Sequence, residues 1–216
     1  MTKKIATIGC MLALSILSTN VSANLITNGS FEDGTPGLTG TQWQVYDSIT
    51  GWDTHTGAGI EIQRNTVVGA QDGDQYVELD SHGAGSNSFM IQELNNLSVG
   101  SWYDLSFWYH ARTNNGSNDN GINAYWGGPT ASDLIEISDI HDLTIGTSSE
   151  WINYEYSIQA THSTMFLGFE ADGSQNTLGG FIDNVSVTAV PEPSTLALFG
   201  LGIVGLGLSR RRSKLS

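Results

Sequence analysis

The chain of 216 residues has a single cysteine, Cys10, so no internal disulfide can staple it. Its stability must come from burial, or from burial plus a bound ion. Lysine occurs only near the ends, at Lys3, Lys4 and Lys214. Between Asn24 and Val190 the only basic residues are Arg64 and Arg112. Against them stand 21 of the chain's 22 acidic residues, a net charge of −19 for that stretch. Such a surface repels phosphate backbones and argues against a nucleic-acid partner. It favours solubility and attracts divalent cations, and most of its carboxylates read as a plain solvated surface. Strong helix formers are scarce, while Gly, Ser, Thr and Asn are abundant, which favours strands and loops.

Familiar catalytic patterns are missing too. There is no Gly-x-Ser-x-Gly elbow and no His-Glu-x-x-His helix. His55, His82, His110, His141 and His162 are scattered without metal-ligand spacing. The glycines lie in turns with no amphipathic helix behind them, so no phosphate loop forms. Paired carboxylates can support glycoside hydrolysis, but with so many acids a pair carries little information. Asp72-Gly73-Asp74 reads as a turn or a cation site before it reads as a catalytic pair. The expectation is a protein that is not an enzyme.

The two ends are informative. Lys3 and Lys4, an apolar run from Ile5 to Leu17 and then Val21-Ser22-Ala23 have the layout of a secretory signal peptide, with cleavage before Asn24. A membrane anchor is the alternative, but the run is shorter than the ~20 residues that span a bilayer. At the other end, Pro191-Glu192-Pro193 breaks any preceding element. An apolar, glycine-rich stretch from Thr195 to Leu208 follows, closed by Arg210, Arg211 and Arg212. A basic cluster after an apolar helix faces the cytoplasm. The order of these parts, from Val190 to about Lys214, resembles the PEP-CTERM sorting signal. That resemblance implies an exported protein of a Gram-negative bacterium that makes exopolysaccharide. Its precursor would sit in the inner membrane through a short transmembrane helix, and an exosortase would process it. The alternative is a plain tail anchor.

Residues 24–189 are one domain by length. Period-2 segments recur between turn clusters. Val77 and Leu79 share a face, as do Tyr103, Leu105, Phe107 and Tyr109, with Asp104, Ser106, Trp108 and His110 opposite. Tyr154, Tyr156 and Ile158 form a row, Met165, Leu167 and Phe169 another, and Phe181, Asp183, Val185 and Val187 a last one. Short helical turns are allowed near Ser132–Ile137. The pattern predicts an all-β sandwich, flanked by a signal helix and a short C-terminal helix.

The opening Asn24-Leu25-Ile26-Thr27-Asn28-Gly29-Ser30-Phe31-Glu32, then Gly51-Trp52, Asp72 to Asp80, Ile91-Gln92, Tyr103 to Tyr109 and Gly180 to Val187 together resemble galactose-binding-like jelly-roll domains, the type of carbohydrate-binding modules. The resemblance implies glycan binding and a structural Ca²⁺ ion, joining a Glu of the opening segment to an Asp of the closing strand. Here those are Glu32 and Asp183. The residues give a physical reason for Asp183. A carboxylate on an apolar row needs a partner, few bases are available, and a hard cation with backbone carbonyls would serve. The alternative is a solvated Asp183 at a strand end.

Sugar sites pair exposed aromatics with polar side chains. Trp108, Arg112, Asn123, Tyr125 and Trp126 are the expected lining of one cleft. Trp52, Asp53 and His55 are expected in an early loop. For any one tryptophan the plainer reading is inward packing, and Arg112 could simply balance local acids. Three roles follow: a surface or biofilm-matrix protein that binds exopolysaccharide, a structural surface protein with no specific glycan, and, less favoured, a polysaccharide hydrolase.

Overall fold

Alternating apolar residues become two six-stranded sheets. The structure is a computed structural model and describes residues 23–40, 42–112, 120–140 and 150–191. Residues 1–22 of the expected leader (1–23) and the tail from Glu192 onward, including Pro193, Arg210, Arg211 and Arg212, lie outside the described residues. Among those described, no helix is long and apolar enough to cross a membrane.

The strands are β1 (Gln42–Tyr46), β2 (Ser48–Ile49), β3 (Trp52–Thr56), β4 (Ile60–Arg64), β5 (Gln75–Glu78), β6 (Phe89–Leu94), β7 (Trp102–His110), β8 (Gly121–Gly127), β9 (Leu134–Ile140), β10 (Ile152–Gln159), β11 (Met165–Asp172) and β12 (Phe181–Ala189). Spatial order is β1-β4-β5-β12-β7-β10 in the first sheet and β2-β3-β6-β11-β8-β9 in the second. Every strand pairing is antiparallel. The arrangement is consistent with a jelly-roll sandwich. The expected helical turn is a short 3-10 turn, Ala131–Asp133, running directly into β9.

The core lies between the sheets. Tyr103, Leu105, Phe107 and Tyr109 of β7 and Met165, Leu167 and Phe169 of β11 point into it. Phe107 and Phe169 meet edge to face at 4.9 Å across the two sheets, and Trp52 lies 6.0 Å from Phe169. Trp52 therefore opens a strand and is fully buried, where an early loop was expected. Its indole N–H donates to the Asn28 carbonyl, which satisfies the one polar atom that burial would strand.

Two features depart from simple alternation, and the second corrects an expectation. The opening segment is not a strand. It runs irregularly along β12, held by Leu25 N–H to Val187 O at 2.8 Å and Val185 N–H to Gly29 O at 2.9 Å. The row of Phe181, Asp183, Val185 and Val187 is also broken. The register shifts between Asp183 and Ser186, and Asn184 takes a positive φ of 47°. One extra residue reverses side-chain parity. Ile182, Val185 and Val187 thus face the core, while Phe181 and Asp183, though fully buried, face the other side of the first sheet.

Candidate functional site

The outward face of the first sheet carries a groove of about 400 Å³ across β12, β7 and β10. Asp104, Ser106, Glu155, Ser157, Ser186 and Thr188 line it. Register explains the grouping: Thr188 and Ser157 flank Asp104, and Ser186 and Glu155 flank Ser106. The same alternation that sends Leu105 and Phe107 inward sends these side chains outward. The Ser106 and Ser186 hydroxyls bond each other at 3.1 Å. Small side chains make the floor low enough to be a groove. Trp102 continues the face at one end, 51% exposed, and Trp108 at the other, half-buried between Asp183 and Asn153. Six residues of strand separate the two indoles, about 20 Å.

Farther across the same face lies a sealed polar network. Glu61 and Glu78 sit directly opposite each other on β4 and β5, both fully buried. The Gln63 amide bridges them, donating to Glu61 at 2.7 Å and Glu78 at 2.8 Å. Arg112 Nη1 holds both Glu78 oxygens, at 2.5 and 2.7 Å, and Gly179 N–H adds a bond at 2.7 Å. His82 meets the other Glu61 oxygen at 2.7 Å and stacks on Trp43 at 4.0 Å. Burial pushes Glu78 up to about 8; the Arg112 charge pulls against this and the Glu61 charge adds to it. Every oxygen of this carboxylate pair is bonded and neither is exposed to a substrate. Arg112 also lies over the Phe181 ring at 5.8 Å. Its guanidinium is committed to this network.

The structure separates the residues expected in one cleft. Trp126 is in the core, 6% exposed, with its indole N–H donating to Gln159 O at 2.9 Å. Tyr125 and Asn123 have the opposite parity on β8 and face outward from the second sheet. There the Tyr125 hydroxyl donates to Glu170 at 2.8 Å, and burial together with that carboxylate pushes its pKa up to about 12. Trp108 and Arg112 face away from the first sheet, on the far side of the sandwich. No single cleft can hold all five. The groove residues were legible as outward-facing on β7, but adjacency to β10 and β12 was not.

Glu32 and Asp183 each hold backbone N–H groups of the turn between β4 and β5. Asp183 accepts N–H bonds from Gln71 at 2.8 Å and Asp72 at 2.9 Å, and from Asn184 at 2.6 Å. Glu32 accepts from Asp74 at 2.6 Å and Gln75 at 2.7 Å. Gly73 packs so tightly on Glu32, at φ +75°, that a Cβ would lie 2.4 Å from its Oε1. Burial raises Asp183 to about 7, opposed by those backbone bonds. Among the described residues no group of three His, Cys, Asp or Glu side chains is placed to hold a metal.

The described residues define an all-β sandwich of two six-stranded sheets, consistent with a jelly roll. The chain belongs to the family described as protein of unknown function (DUF642), whose model matches residues 24–188. A second model, the PEP-CTERM protein-sorting motif, matches residues 189–212. That motif marks a secreted, exosortase-processed protein of Gram-negative bacteria. Among solved structures, the chain is similar to the K1 cleaved adhesin domain of Lys-gingipain from Porphyromonas gingivalis W83, at 15% identity and TM-score 0.51, covering 71% of this chain and 100% of that one. It is similar to the MgGH51 α-L-arabinofuranosidase at 13% identity and TM-score 0.51, covering 78% of this chain but only 26% of the enzyme. It also resembles the CBM22-1 xylan-binding domain of Paenibacillus barcinonensis Xyn10C, at 13% identity and TM-score 0.47, with 79% and 97% covered. These likenesses concern the fold. No curated protein matches the chain.

Proposed function

We propose that this is an exported cell-surface or matrix protein that binds polysaccharide along the outward face of its first sheet. The observation that carries the reading is the groove itself: hydroxyls and carboxylates on a low floor, with Trp102 and Trp108 on the same face beyond its ends. Hydroxyl-rich rings need such edges, and their C–H faces need aromatic surface. The cell's own exopolysaccharide is the natural partner for a protein sorted by an exosortase. Trp102→Ala is the test, because this exposed indole contributes little to the core. Affinity electrophoresis in polysaccharide gels should show retardation of the wild type and at least a fivefold weaker retardation of the variant. Equal retardation of both would overturn the groove.

A structural Ca²⁺ ion belongs to the same proposal. Asp183 is buried with no ion pair among the described residues, and the neighbouring Asp72 charge raises it further. A cation would relieve both. Glu32, Asp183 and carbonyls of the 71–75 turn would hold it, and its role would be to fix that turn against β12. Melting of the exported chain should rise by several degrees with millimolar Ca²⁺ over chelator, and Asp183→Asn should abolish the rise. An unchanged melting temperature would remove the ion from the account.

A further inference from the structure

We infer that the polysaccharide this groove takes is uncharged, an inference that rests on the glycan-binding reading above. Two of the groove's lining side chains, Asp104 and Glu155, are exposed carboxylates on its floor. A uronate or sulfate chain would run directly over them. Recognition of an anionic sugar needs a fixed cation, most often a forked arginine. Between Asn24 and Val190 the sequence offers only Arg64 and Arg112, and both are engaged. Arg112 is bound to the buried Glu78, with its side chain 17% exposed. Arg64 pairs with Asp74 at 2.7 Å on β4. Strand β5 lies between β4 and β12, the nearest groove strand, so Arg64 stands about 10 Å from the groove's edge and about 14 Å from the Asp104 strand. Both exceed the ~8 Å screening length at physiological salt.

The rest of the surface acts in the same direction. A net charge of −19 over this stretch lowers the local concentration of any polyanion around it. An uncharged chain meets neither barrier. Its hydroxyls donate to Asp104 and Glu155 and accept from Ser106, Ser157, Ser186 and Thr188. The carboxylates thus serve two purposes, holding hydroxyl groups and turning away acidic chains.

The experiment uses the exported chain at pH 7.5, in chelator, with circular dichroism confirming the fold. It measures binding to uncharged polysaccharides (galactan, xylan, β-glucan) and to polygalacturonate and alginate, at 20 and 500 mM NaCl. The expected result is binding to at least one uncharged chain that changes less than twofold with salt, with polyuronate binding at least tenfold weaker at low salt. The double variant Asp104→Asn/Glu155→Gln should bind polyuronate at least fivefold better than wild type. Polyuronate binding equal to or tighter than that of every uncharged chain overturns the inference but leaves the groove reading standing. So does a double variant with no gain. Binding to no polysaccharide at all overturns the groove reading, and this inference falls with it.

Discussion

Glu78 shows how one buried side chain sets a property of the protein. Its folded-state pKa, about 8, lies above the ordinary 4.5 because burial disfavours the charged form more than Arg112 favours it. An acid raised in this way binds a proton in the folded state that the unfolded chain has already released. Its contribution to stability is therefore full below about pH 4.5 and is lost as pH rises toward 8. Asp183, raised from 3.8 to about 7, acts in the same direction. Urea unfolding in chelator should give a midpoint that falls from pH 5 to pH 8. Glu78→Gln should flatten that fall without removing it, because Asp183 remains. A midpoint that rises over the same range would mean the Glu78–Arg112 pair is ionised throughout. At this scale the sequence was partly legible. Asp183 stood out as a carboxylate among apolar residues, and Arg112 as one of two bases. That Arg112 is committed to Glu78 was hidden, because the two lie 34 positions apart and meet only through the β5-β12-β7 order.

At the level of strands, period-2 alternation placed the inner faces of β7, β10 and β11 correctly, since every second side chain must enter the core. It failed at β12, where the extra residue at Asn184 exchanges the faces midway. It also carried a signal about β8 that went unused. Trp126 has the opposite parity to Asn123 and Tyr125, so the three could never share a face. Short strands such as β2 gave too few residues for any period to be read. The opening segment depends on close backbone approach instead of alternation. At Gly29 a Cβ would lie 2.0 Å from the Val185 carbonyl oxygen, in the stretch that bonds to β12. Gly29→Ala should force the two backbones apart and destabilise the fold by about 1–3 kcal/mol, the usual range for overpacking. The readout is a lower urea midpoint at constant m. An unchanged midpoint would mean that the opening segment contributes nothing to holding β12.

Over the whole molecule, composition spoke clearly. The absence of cysteine between Asn24 and Val190, the excess of acid there and the PEP-CTERM motif at 189–212 agree on an exported domain that relies on core packing and buried polar networks. Which broad face serves a ligand could not be read from sequence, because both outward faces carry aromatics. Only the sheet order reveals that β12, β7 and β10 lie side by side and leave a low floor between the positions of Trp102 and Trp108. The choice between faces is therefore the central claim. Amide chemical-shift mapping of the exported chain, titrated with an oligosaccharide from a polysaccharide it binds, tests it directly. The account predicts shifts concentrated at Trp102–Trp108, Asn153–Ser157 and Ser186–Thr188. Shifts centred instead on Asn123, Tyr125 and the outward face of the second sheet would contradict it.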